Sequence, residues 1–139
     1  ALAILVTAFL VAGNAYGEEE EVFYCADIAS NGFRYDHQLK EYVPARFKER
    51  KFKMQLKYPA SEIEILLSLR YDNGERQYFY CELASKSSDE QLVSCNSLTH
   101  GYKINFNKRT GRYAFSHHYG YVGGDNDSLA IVYGKCDKF

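Results

Sequence analysis

The stretch LAIVYGKCDKF, residues 129–139, decides how this sequence is expected to fold, because it sets Cys136 in an apolar run typical of a buried strand. A second cysteine, Cys25, lies in VFYCA (residues 22–26), which is predicted to form the first strand. An antiparallel meander avoids two bare edges when its last strand pairs with its first. In such a closed sheet Cys25 and Cys136 become neighbours.

The sequence between these two stretches alternates apolar and polar residues with a period of two, which is typical of half-buried strands. Together with the first and last strands it gives about eight strands, joined mostly by short connections. The predicted fold class is therefore all-β: an antiparallel up-and-down barrel or closed sandwich, stapled by disulfides. One longer link, from Asp27 to Arg46, contains HQLKEY, which could form a turn or two of helix. The six intervening strands are predicted at residues 52–58, 62–71, 77–83, 91–97, 102–106 and 112–122.

Turn chemistry fixes some strand registers and leaves one open. The loop Lys108–Gly111 pairs Phe106 with Tyr113, so that the apolar faces of both strands agree. If the apolar faces of strands 52–58 and 62–71 lie on the same side of the hairpin, Lys57 is expected opposite Glu62 or Glu64. The turn at residues 72–74 (DNG) allows either a two-residue turn or a three-residue loop with a left-handed glycine. These two turns point opposite faces of strand 77–83 inward.

The four cysteines are expected to pair with one another, since an even count in an exported chain implies disulfides. Cys81 and Cys95 flank one hairpin, and closure of the sheet brings Cys25 to Cys136. We therefore predict the connectivity Cys25–Cys136 and Cys81–Cys95. No CxxC or CxxH pair is present, so the sequence predicts no zinc site.

The first 17 residues have the pattern of a signal peptide, truncated at its N-terminus: an uncharged apolar run followed by small residues. Cleavage is expected after Ala15 or Gly17. With residues 1–17 removed, residues 18–139 are expected to form a single β domain that is periplasmic or secreted. The formal net charge of −1 gives no general attraction to nucleic acid. No other stretch is long and apolar enough to predict stable insertion into a membrane after cleavage.

One basic stretch, RFKERKFKMQLK, is a candidate site for an anion such as a polyanion or a phosphorylated lipid. No Ser/His/Asp or Cys/His arrangement can be assigned, and paired cysteines are not nucleophiles, so we predict neither an enzyme nor a cofactor. Adjacent His117 and His118 point to opposite faces of a strand and cannot chelate one metal together. Asp125 and Asp127 in a glycine-rich loop are more typical of a turn than of a calcium site. The six candidate anion-binding residues are Arg46, Lys48, Arg50, Lys51, Lys53 and Lys57.

Three motifs carry a resemblance: FYC at residues 23–25, FN-x-x-TGRY at 106–113 and the final YGKCDKF. Together they resemble a group of small exported bacterial β proteins that end in a YGxCxKF pattern, a likeness that covers most of residues 22–139. The architecture is also similar to that of periplasmic inhibitors of c-type lysozyme, which are small barrels with a cysteine in the closing strand. The first resemblance implies an exported β fold and no particular activity; the second implies inhibition of a partner protein.

Two functions follow from this architecture: an exported binding or inhibitor module for a protein or small ligand, or a structural or protective component of the cell envelope. Thirteen tyrosines and nine phenylalanines predict a barrel filled mostly by side chains. An open lumen of about 300 Å³ or a large exposed tyrosine patch favours binding. A filled barrel with an evenly polar surface favours the envelope role.

Overall fold

The computed structural model describes residues 19–58, 65–83, 91–97 and 99–139. In these residues the chain is all-β, apart from one helical turn, α1 (Tyr119–Val122). The predicted signal segment lies outside the described residues. The strands are β1 (Glu19–Asp36), β2 (Glu41–Ala45), β3 (Lys51–Tyr58), β4 (Ile65–Tyr71), β5 (Arg76–Leu83), β6 (Leu92–Ser97), β7 (Tyr102–Asn107), β8 (Arg112–His117) and β9 (Leu129–Lys138).

The sheet closes into a barrel, which confirms the predicted fold class. The strand order is β2-β1-β3-β4-β5-β6-β7-β8-β9, every neighbouring pair is antiparallel, and β9 also pairs with β1. Eight strands form the closed wall. The ninth, β2, pairs with the second half of β1, beyond the point where β3 leaves it.

The link from Asp27 to Arg46 differs from its prediction, because β1 runs on to Asp36 and returns as β2. The Asp36 carboxylate accepts hydrogen bonds from the backbone N–H groups of Gln38 and Leu39 at 2.9 and 3.0 Å. Lys40 adopts a φ of 54°, which closes the turn. This side-chain-to-backbone bonding is typical of a tight turn, so the helix proposed for HQLKEY is wrong and a hairpin stands there.

The predicted strand 112–122 also ends earlier, at His117. The residues that follow it form the single turn α1. In this turn the N–H of Val122 donates to the carbonyl of His118 at 3.2 Å, whereas the pairing of β8 with β9 ends at His117. Tyr119 and Tyr121 are consequently exposed at one end of the barrel and take no place in the core.

The barrel interior is packed with apolar side chains from alternate positions of the described strands. Phe23 and Phe106 meet edge to face, with ring centroids 4.9 Å apart. Among the described residues, large apolar side chains therefore fill the interior of the barrel. The largest side chains that are almost wholly buried are Phe23, Phe79, Phe106, Met54, Leu56, Leu67, Leu69 and Ile104.

Both predicted disulfides are present. Cys25 and Cys136 are direct register partners across β1 and β9, and Cys81 and Cys95 are partners across β5 and β6. The first bridge encloses a sequence separation of 111 residues and the second a separation of 14. The first bridge therefore locks the seam of the barrel, while the second staples a local hairpin.

The open register resolves in favour of the three-residue loop. Gly74 has a φ of +87°, which side chains rarely tolerate, and the N–H of Tyr71 bonds the carbonyl of Glu75 at 2.9 Å across the loop. Phe79 therefore points into the core, and the tyrosines on either side of it, Tyr78 and Tyr80, point outward.

The other two register predictions have different outcomes. The pairing of Phe106 with Tyr113 is confirmed. Lys57, however, lies opposite Leu66, so its predicted position opposite Glu62 or Glu64 is wrong. Pairings of β3 with β4 that are shifted by two residues bury the same side chains. The apolar pattern alone therefore could not distinguish between these pairings.

The two disulfides are expected to stabilise the fold unequally. In the chain-entropy picture a closed loop of about 100 residues contributes about 4.7 kcal/mol and one of about 15 residues about 3 kcal/mol. Replacing the seam bridge (C25S/C136S) should therefore lower the free energy of unfolding by more than replacing the hairpin bridge (C81S/C95S). Urea denaturation of both variants measures the difference. A larger loss in the hairpin variant contradicts the view that the seam is the critical closure.

Candidate functional site

The six predicted anion-binding residues do not form one site. Arg46 and Lys48 lie in the connection between β2 and β3, and Arg50 turns inward at one end of the barrel. The remaining three, Lys51, Lys53 and Lys57, lie at alternate positions on the outer face of β3. Two separate features follow from this division: a buried network around Arg50 and an outer surface that begins on β3.

The buried network centres on Asp27, the one charged residue among the described residues that is buried. Its carboxylate accepts three hydrogen bonds: from the backbone N–H of Arg50 at 2.9 Å, from the Arg50 side chain (Nε) at 3.0 Å and from the Tyr113 hydroxyl at 2.7 Å. A shift of register in β1 between Asp27 and Ala29 marks a bulge at this point. The carboxylate is thus fully paired.

The Arg50 guanidinium closes this end of the barrel. Its central carbon lies 5.1 Å from the Tyr71 ring centroid and 4.8 Å from that of Phe115. It also donates to the Tyr71 hydroxyl at 3.2 Å, and that hydroxyl donates to Gln77 Oε1 at 2.8 Å. Among the described residues no buried side-chain polar atom lacks a partner. This network, which we name the plug, therefore occupies one end of the barrel.

A glycine makes room for the network. A Cβ at Gly134 of β9 would collide with the Tyr113 ring and with the carbonyl oxygen of Ala26. The Tyr113 ring occupies the space above Gly134, and its hydroxyl reaches Asp27. Glycine in the YGKC motif thus positions the hydroxyl that completes the pairing of the buried carboxylate.

Burial keeps the tyrosines of the plug protonated. It raises the pKa of Tyr71 to about 12. Burial also raises the pKa of Tyr113, and the Asp27 carboxylate beside it adds to the effect. Both phenols therefore stay neutral hydrogen-bond donors at ordinary pH.

The histidines and loop aspartates found in the sequence are dispersed. His100 stacks on Tyr102 and His117 meets the same ring edge-on, at centroid distances of 5.5 and 5.3 Å. The loop carbonyls of Asp125 and Asp127 accept hydrogen bonds from the Tyr42 hydroxyl at 3.3 and 2.9 Å. Within the described residues no group of three or more His, Cys, Asp or Glu side chains is placed to hold a metal ion.

The outer wall carries the strongest candidate site, a concavity of about 390 Å³ across β3, β4 and β5. We name it the β3–β5 groove. Its floor and walls are side chains that alternate with the core residues of the same strands, so the barrel core holds the groove rigid. The outward residues of the groove are Lys53, Gln55, Lys57, Leu66, Ser68, Arg70, Arg76, Tyr78 and Tyr80.

The charge of the groove is wholly positive. Lys53 is the register partner of Arg70, which is in turn the partner of Arg76, so three cations stand in one row across three strands. Like charges in directly opposed positions repel and cost stability. The ion pairs found in the described part of the chain involve other cations: Arg50, Lys108 and Lys138. None of the three cations of the row therefore lies within ion-pair distance of a described carboxylate.

The groove also offers neutral contacts. Tyr78 and Tyr80 are 55% and 47% exposed and stand along the β5 side. Gln55 and Ser68, register partners on β3 and β4, lie between the cations. Neither of these two side chains has a hydrogen-bond partner among the described residues, so both are available to a ligand.

Sequence reasoning found only the β3 edge of this groove. Arg70, Arg76, Tyr78 and Tyr80 were missed as site residues because their position depends on cross-strand register. The period-two alternation of residues 62–71 is itself sufficient to place Arg70 on the polar face of its strand. The side of Tyr78 and Tyr80 could be decided only by the loop at residues 72–74.

Comparison of the sequence with protein-family models and with curated proteins finds no match to either. No helix among the described residues has the length and apolar character needed to cross a membrane. The two disulfides are compatible with an oxidising, exported location.

Because burial raises the pKa of Tyr71 and of Tyr113, we predict that the folded protein loses stability at alkaline pH. A tyrosine whose pKa is higher in the folded state than in the unfolded state, where it is about 10, stabilises the fold below pH 10 and ceases to do so as the pH rises. Ionisation of Tyr71 alone should lower the free energy of unfolding by about 2–3 kcal/mol between pH 10 and pH 12. Urea denaturation across this range measures the slope, and Y71F should reduce it. An equal slope in Y71F and the parent protein would contradict this role for Tyr71.

Proposed function

We propose that this protein is an exported binding module that holds an anionic ligand on the outside of the barrel, in the β3–β5 groove. The observation that carries the proposal is the row of Lys53, Arg70 and Arg76 inside a concave surface, none of them in an ion pair with a described carboxylate. The repulsion within such a row is relieved when an anion binds over it. The exposed tyrosines beside the row supply contact area for the uncharged part of the ligand.

The closed interior supports an outer site. The core side chains fill the lumen, and the plug of Asp27, Arg50 and Tyr71 covers one mouth. At the opposite end, the Tyr58 hydroxyl accepts a hydrogen bond from Lys108 at 2.8 Å, and Lys108 lies 3.6 Å from Glu21. In the described part of the chain, side chains therefore occupy the barrel axis and both of its ends, which supports recognition on the outer wall.

The groove suits sulfate, phosphate and carboxylate groups. The two arginines can each hold such a group with two parallel N–H donors, whereas the lysines act as point charges. Ser68 and Gln55, between the cations, can bond hydroxyl groups on the same ligand. The ligand class that fits is a multiply charged anion with polar, uncharged groups between its charges.

The second candidate function is a structural or protective role in the cell envelope. The filled barrel and its two disulfides support it, because such a module resists unfolding and requires no ligand. The two functions differ in one observable property. A binding module saturates with an anionic probe at its groove, whereas an envelope component shows only weak, unsaturable attraction.

The test uses sucrose octasulfate, a compact sugar that carries many sulfates, titrated calorimetrically into the disulfide-intact protein. We expect saturable binding that weakens as salt is added. Reversing two charges of the row (R70E/R76E) should weaken binding about a hundredfold, because two attractions become repulsions. The matched control is K103E/R109E, which makes the same change of net charge at exposed positions outside the groove.

Two outcomes contradict the proposal. One is the absence of saturable binding by the parent protein, which favours the envelope role. The other is an equal loss of affinity in R70E/R76E and K103E/R109E, since the interaction is then a response to net charge and not to the groove. Circular dichroism and urea denaturation establish that both variants remain folded.

A further inference from the structure

A second concavity continues the β3–β5 groove toward the barrel seam. It has a volume of about 560 Å³ and shares Lys53 and Arg70 with the groove. We name it the seam depression. Its other outward residues come from β1, from the start of β3, from the loop after β4 and from β9: Tyr24, Ala26, Lys51, Asp72, Lys135 and Asp137.

The strand registers make the two concavities one continuous band. Lys53 is the partner of both Arg70 on β4 and Tyr24 on β1, and Ala26 is the partner of both Lys51 on β3 and Lys135 on β9. The band therefore crosses β9, β1, β3, β4 and β5. At about 4.8 Å between neighbouring strands this is a span of about 19 Å.

Small residues shape the band as a trough. On adjacent strands, Ala26 lies between Lys51 and Lys135 in the seam depression. Ser68 lies between Gln55 and Tyr78 in the groove. Lys53 lies between these two low points and belongs to both concavities. A ligand confined to one concavity reaches Lys53 from one side, whereas a longer ligand passes over it.

Positive charge continues along the trough. The seam depression adds Lys51 and Lys135, and its carboxylates Asp72 and Asp137 are not within ion-pair distance of any described cation. The trough as a whole holds six cations and two carboxylates. Repeated charge over about 19 Å matches a linear polyanion better than a single phosphate or sulfate.

The uncharged contacts favour a sugar polymer. The free amide and hydroxyl of Gln55 and Ser68 suit a ligand rich in hydroxyl groups, and the exposed rings of Tyr78 and Tyr80 suit its apolar faces. Polyphosphate offers charge alone. A single nucleic-acid strand presents flat bases that require successive stacking platforms. Tyr78 and Tyr80 stand at one end of the trough, and the third exposed ring, Tyr24 near the seam, already meets Phe139 edge to face at 5.7 Å.

We infer that the ligand is a linear anionic polysaccharide that runs across the strands from the β3–β5 groove into the seam depression. The inference rests on the proposed function, since the groove must bind anions for the longer site to exist. Its distinctive consequence is a dependence of affinity on chain length, with Lys135 contacting only those chains long enough to reach β9.

The experiment measures binding of dextran sulfate fractions of increasing length, with uncharged dextran of the same lengths as the control ligand. Affinity should rise with length until the chain spans the trough and then level off. K53E should weaken binding of short and long fractions by about tenfold, because Lys53 belongs to both concavities. K135E should weaken only the long fractions, also by about tenfold. K103E, an exposed cation on β7 outside the trough, serves as the matched control and should change neither.

The outcomes separate this inference from the proposed function. If no fraction binds saturably, the proposed function fails and the inference fails with it. If short and long fractions bind equally and K135E changes neither, the groove is an anion site but the extended polysaccharide site is wrong. Tighter binding of a single-stranded oligonucleotide or of polyphosphate of equal charge assigns the trough to another polymer and overturns the inference.

Discussion

The pairing of β1 with β9 turns a nine-stranded sheet into a barrel, and the rest of the structure depends on it. Ten register pairs join the two strands, and the Cys25–Cys136 bridge links one of these pairs covalently. The bulge after Asp27 interrupts the same pairing and marks the place where β1 passes from the barrel wall to its extension beside β2. The buried carboxylate lies at this point, and so does the plug built on it.

Closure also determines which surface the proposed ligand would meet. Alternating side chains from the eight wall strands meet in the interior and fill it, so the residues between them must face solvent. Three outward cations fall into one row only because the β3–β4 and β4–β5 registers align Lys53, Arg70 and Arg76. A fully packed core thus gives the outer wall the rigidity that a preorganised binding surface requires.

The alternating pattern and the number and spacing of the cysteines were sufficient to predict a closed antiparallel sheet (a barrel or a closed sandwich), its closing pair of strands and both disulfides. The hairpin at residues 37–40 was missed because its turn depends on the Asp36 carboxylate and a left-handed Lys40, and neither has a strong sequence signature. The position of Lys57 was mispredicted because registers two residues apart bury the same face.

The candidate site was harder to predict than the fold. The basic stretch pointed to β3, but Arg50 has the same charge as Lys53 and a wholly different role, since it pairs with a buried carboxylate from a distant strand. The groove needed Arg70, Arg76 and two tyrosines whose outward direction follows from a three-residue loop. Cross-strand register is a property of the whole sheet, and for this reason it could not be derived from one strand at a time.

The central claim is that a closed, filled barrel binds its ligand on the outer wall. The most direct measurement is a map of amide chemical-shift changes in the isotopically labelled, disulfide-intact protein as dextran sulfate is added. The account predicts saturable changes in the outward residues of β3, β4 and β5, with Lys53, Ser68 and Arg70 prominent, and little change in the opposite wall at β7. Changes concentrated at the plug around Asp27 and Arg50, or spread evenly over all exposed cations, contradict it.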